Sequence, residues 1–137
     1  MAQKVLEASD YLITLDHKDA YRQIRNYLAG RLVGATRDEA LVDEVIKCLF
    51  CKMYLMKRRI QLDPSDALAL AKHYRSALGE LRRIVPTVFG SNDELLLDPT
   101  SLAYVDSKLN DADLTNPVRD PIGDAYEAFI GSNIRGH

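Results

Sequence analysis

Apolar residues recur every three or four positions along most of the chain, and polar start and stop signals divide that pattern into five stretches. Asp16 is placed to cap a first helix running through Tyr21, Ile24, Tyr27, Leu28 and Leu32 and stopping near Gly34. Thr36-Arg-Asp-Glu39 has the form of a capping box. In it the Thr36 hydroxyl accepts from the Glu39 amide and the Glu39 carboxylate returns to the Thr36 amide. A second helix is therefore expected over residues 36–59. Val42, Val45, Ile46, Leu49, Phe50 and Met53 share one arc of about 140°. The other side carries Leu41, Cys48, Cys51 and Leu55. A helix apolar nearly all round is buried on most sides, so this one is expected at the centre.

Asp63-Pro64 combines a capping acceptor with a proline at the first helical position, where the missing amide costs nothing. A third helix is expected from there to about Val85, where Pro86 disfavours helical geometry in the residue before it. Gly90 to Asp93 reads as a loop. Asp98-Pro99 opens a fourth helix through Leu102, Val105 and Leu109, closed by the polar stretch from Asn110 to Asn116. Asp120-Pro121 opens a fifth, ending near Gly131. No segment alternates convincingly with β-branched residues. The fold class predicted is all-α: a single compact bundle of about five helices around a buried central helix, with residues 1–137 as one domain.

The composition fits that picture, with 47% hydrophobic and 28% charged residues in 137, close to the average for a globular domain. No run approaches the ~20 apolar residues of a membrane span, and the first ten residues lack a signal-peptide pattern. A cytoplasmic protein with no membrane partner is expected. The net charge of −2 hides an asymmetry: residues 1–46 carry −2, residues 47–83 carry +6 and residues 84–137 carry −6. The plainer account is that the basic middle and the acidic last third attract each other inside the fold; the alternative is an anionic partner for the middle.

Candidate chemistry is sparse. Cys48-Leu-Phe-Cys51 has the Cys-x-x-Cys spacing, but a zinc site needs four ligands, and His17, His73 and His137 follow no ligand spacing. A redox pair usually opens a helix, whereas this one lies mid-helix on an apolar surface, so two buried small residues are expected. No Gly-rich phosphate loop, nucleophile elbow or His-Glu-x-x-His is present, and no catalytic, cofactor-binding or metal-binding residue is assigned. Asp93-Glu94 and the pair Asp111/Asp113 fall in expected loops and read as solvated or capping groups. On the third helix Lys72, Arg75, Arg82 and Arg83 lie within about 100° of arc, a row that can track phosphates or simply face water. Lys52 is the only charged residue between Cys48 and Met56. Its ammonium must snorkel to water or find a carboxylate. Asp124 and Glu127, on one face of the fifth helix, are the partners expected for such an ion pair.

Two stretches resemble the N-terminal helical region of N6-adenine DNA methylases, the modification subunits of type I and related restriction-modification systems. One is Arg25-Asn-Tyr-Leu28 followed by Asp38 to Tyr54; the other is Asp120-Pro-Ile-Gly-Asp-Ala-Tyr-Glu-Ala-Phe-Ile-Gly131. In that family a segment of the second kind leads into the catalytic domain. The resemblance implies an N-terminal, non-catalytic domain of an enzyme that transfers a methyl group from S-adenosylmethionine to adenine N6 in DNA. The family's cofactor glycines and its Asn-Pro-Pro-aromatic motif, which grips the flipped adenine, would follow residue 137, so this chain holds no cofactor of its own. DNA and the specificity and nuclease subunits are the implied partners. Residues 60–118 resemble nothing in the family. The alternative is a stand-alone all-α interaction or regulatory module with no enzymatic role. A helix-turn-helix DNA reader fits less well, because the second helix is too apolar to lie in a groove.

Overall fold

The computed structural model describes residues 19–29, 31, 38–90, 92–112, 114–115, 118 and 120–131. All regular structure among them is helical. Helix α1 covers 19–29, and its period of three and four buries Ala20, Tyr21, Ile24 and Leu28. The expected caps at Asp16 and Thr36, together with Leu32 and Gly34, lie outside the described residues.

Helix α2 (Asp38–Lys57) is the central element, packing against α3, α4, α5 and the turn that follows α5. Its buried surface is wider than the arc that the apolar pattern favours. Val42, Val45 and Leu49 of that arc are fully buried, and so are Leu41, Cys48, Cys51 and Leu55 of the other side, whereas Ile46, Phe50 and Met53 of the arc are half-buried. Helix α4 meets the Lys52 side through Asp106, while Leu81 and Ile84 of α3 line a groove with Phe50, Met53 and Tyr54. The helix ends in a Schellman turn. The Ile60 amide donates to the Leu55 carbonyl and the Arg59 amide to the Met56 carbonyl, both at 3.0 Å, with Arg59 left-handed at φ 57°.

Helix α3 (Ala67–Ile84) begins three residues later than Asp63-Pro64 suggests. Its cap is Asp66, whose carboxylate accepts from the Ala69 amide at 3.1 Å. Asp63 instead accepts from the Ser65 amide (2.9 Å) and hydroxyl (2.6 Å), and its carbonyl accepts from the Asp66 amide. That closes a turn with Pro64 at its second position, a favoured alternative for an Asp-Pro pair. Tyr74, Leu70, Ala71, Ala77, Leu78 and Leu81 form the buried face of α3, and the helix stops before Pro86 as expected.

Residues 94–97 cross α2 and α3 as an extended strap, burying Leu95 and Leu97 and exposing Leu96. Helix α4 (Pro99–Leu109) is capped by Asp98, which accepts from the Ser101 amide and hydroxyl, and runs on into a 3-10 turn, Asn110–Ala112. Helix α5 (Pro121–Tyr126) is capped by Asp120, which accepts from the Gly123 amide at 3.0 Å, and widens into a π turn, Glu127–Gly131. A β-carbon at Gly123 would collide with the Asp120 carboxylate, so cap and glycine depend on each other. Tyr27 of α1 stacks on Tyr104 of α4 with ring centres 3.8 Å apart, tying the first helix to the fourth.

Candidate functional site

The strongest polar constellation in the interior gathers one residue from each of three helices. Lys52 sits on the inward face of α2, where its neighbours are apolar, and its side chain is 7% exposed. The Asp106 carboxylate of α4 meets it at 2.7 Å through Oδ1, which also accepts from the Tyr74 hydroxyl of α3 at 2.6 Å. The ion pair expected for Lys52 therefore exists, but its partner is Asp106 rather than Asp124 or Glu127. The inward face of α2 points Lys52 at α4, and Asp106 stands on the same face of α4 as Leu102, Val105 and Leu109. A buried ammonium needs a short, hydrogen-bonded anion, and Tyr74 supplies a second donor to that anion.

Burial and the Asp106 charge push the Tyr74 hydroxyl well above its usual range, so it donates and does not ionise. Burial likewise raises the Cys48 thiol, with the neighbouring Cys51 and the charges of Glu44 and Asp106 adding to it. The Cys51 thiol is raised to about 12 by burial, with a contribution from Glu44. Both cysteines are free and buried. Thiols held neutral in an apolar interior are poor nucleophiles and poor metal ligands, which matches the expectation of small core residues. Lys52 and Asp106 also reach the wall of a small cleft of about 210 Å³. Apart from that pair, the described residues that line it are Leu55, Met56, Ile60, Gln61, Leu62, Pro64 and Asn110. The constellation ties three helices together.

A second set of polar contacts fixes the strap. Glu44 of α2 is 2% exposed and accepts from the Leu96 amide at 3.0 Å, while Lys47 donates to the Glu94 carbonyl at 3.1 Å. Burial raises the Glu44 pKa above its usual value, against the opposing pull of the Leu96 amide and Lys47. From the other side, Arg75 donates to the Leu97 carbonyl (3.0 Å) and Arg82 to the Asp93 carbonyl (2.9 Å). Two of the four residues in the expected phosphate row are thus engaged in holding the strap. Arg83 pairs with Glu80 at 2.9 Å while remaining largely exposed, and Lys72 is exposed. Asp93 caps its own loop, accepting from the Gly90 amide at 2.7 Å.

Among the described residues no group of three or more His, Cys, Asp or Glu side chains is arranged to hold a metal ion. No helix among them is long and apolar enough to cross a membrane. No family model, curated protein or solved structure matches the chain.

Proposed function

We propose that this chain is the N-terminal helical domain of a site-specific N6-adenine DNA methyltransferase of a restriction-modification system. In that reading it is cytoplasmic and non-catalytic, and it packs on a catalytic domain that binds S-adenosylmethionine. There it helps to engage DNA, the specificity subunit or the nuclease subunit. The observation that carries the reading is the juxtaposition of the two stretches that resemble the methylases. Helix α2 packs directly against α5 and its π turn, with Phe129 of the turn fully buried. The segment expected to lead into a catalytic domain is thereby anchored on the central helix. The glycine of that segment, Gly123, supplies the amide that Asp120 caps.

The coding sequence beyond residue 137 tests the reading. A Gly- and Phe-rich turn ending in Thr-Pro, followed by an Asn-Pro-Pro-aromatic motif, is the expected result; a stop codon or an unrelated domain refutes it. The isolated chain should bind no S-adenosylmethionine in titration calorimetry, since every residue for that task would lie downstream.

A further inference from the structure

Towards its C-terminal end, α2 carries apolar residues that the fold leaves partly uncovered. Phe50, Met53 and Tyr54 are half-buried there, and together with Leu81 and Ile84 of α3 they wall a solvent-open groove of about 540 Å³. Ile84 is 54% exposed. Among the described residues that line the groove, the charged ones are Lys57 and Arg58, both cationic. Arg58 follows the last turn of α2 with its amide donating to the Tyr54 carbonyl at 3.1 Å, and its guanidinium lies 5.1 Å from the centre of the Tyr54 ring.

We propose that this groove docks an amphipathic helix of a partner protein, with an apolar stripe facing Phe50, Met53, Leu81 and Ile84 and acidic residues on the edge facing Lys57 and Arg58. Apolar walls select the stripe, at the i, i+3, i+4 and i+7 spacing that a helix in a groove uses. The cationic rim selects the sign of the flank, since complementary charge fixes register and like charge rejects wrong partners. A DNA backbone would satisfy the rim but leave the walls uncovered. The inference rests on the groove alone and is independent of the methyltransferase reading.

The test is fluorescence anisotropy on the 137-residue chain with a labelled helical peptide of about four turns, carrying Leu at the anchor spacing and Glu on the flanks. A companion peptide carries Lys in place of each Glu. The Glu peptide should bind, and Ile84→Glu, at an exposed position that circular dichroism should show still folded, should weaken it by about tenfold or more. The double variant Lys57→Glu/Arg58→Glu should reverse the preference in favour of the Lys peptide. Equal binding of the two peptides, no binding at millimolar peptide, or displacement of the Glu peptide by a DNA duplex each overturns the proposal. So does self-association of the chain that Ile84→Glu abolishes, which would assign the groove to a second copy.

Discussion

Lys52, Asp106 and Tyr74 illustrate how a charge in an apolar helix dictates its surroundings. Removing one partner of a buried ion pair strands the other, at a cost of about 3–5 kcal/mol, whereas replacing the whole set by apolar groups of similar volume is far less harmful. Asp106→Asn should therefore lose about 3 kcal/mol or more in urea unfolding, and the triple variant Lys52→Met/Asp106→Leu/Tyr74→Phe should lose less than Asp106→Asn alone. An Asp106→Asn protein as stable as the parent contradicts the assignment. That Lys52 had to snorkel to water or find an anion was legible from Cys48 to Met56; which of the two, and which anion, was not. The signal lay in α4, where Asp106 interrupts the apolar face of Leu102, Val105 and Leu109, and in α3, where Tyr74 sits among Leu70, Ala71 and Leu78. Glu44, at one helical turn from Leu41 and Cys48, breaks the rule in the same way. Because its folded pKa is raised from 4.5, the stability it contributes is fully present below that value and is lost as pH rises through the folded pKa. Glu44→Gln keeps an acceptor for the Leu96 amide without the charge. The variant should accordingly gain stability relative to the parent as pH rises above 4.5 towards neutrality; a difference that stays flat over this range would refute the burial of an ionised carboxylate.

Helix boundaries were legible wherever one acceptor and one proline stood alone. Asp98-Pro99 and Asp120-Pro121 each open a helix, with the aspartate accepting from the amide three residues on. Asp63-Pro64 carries the same signature yet closes a turn, because Ser65 captures the Asp63 carboxylate and a second acceptor, Asp66, stands next to the helix. Two competing acceptors within four residues leave the start undetermined in the sequence. Thermal or urea unfolding checks this directly. Asp66→Ala should cost about 1 kcal/mol, the usual worth of a cap, and Asp63→Ala should cost less. The reverse order would place the cap at Asp63.

At the scale of the whole molecule, the all-helical fold and the central position of α2 were readable from periodicity, while the strap over residues 94–97 was not, since four residues are too few for a pattern to register. Its docking changes the meaning of the basic row on α3. Arg75 and Arg82 hold the strap, which leaves Lys72 and Arg83 as the members suited to a phosphate contact. If this face meets DNA as the proposed methyltransferase reading allows, replacing Lys72 and Arg83 by Ala should lower the slope of log affinity against log salt by about 2. An unchanged slope removes the face from the DNA interface. The account as a whole turns on whether the domain belongs to an adenine methylase. The most direct measurement is mass-spectrometric detection of N6-methyladenine in duplex DNA after incubation with the full-length gene product, its specificity subunit and S-adenosylmethionine. The account predicts N6-methyladenine, formed only when the cofactor is present; DNA that remains unmethylated at saturating cofactor would contradict it.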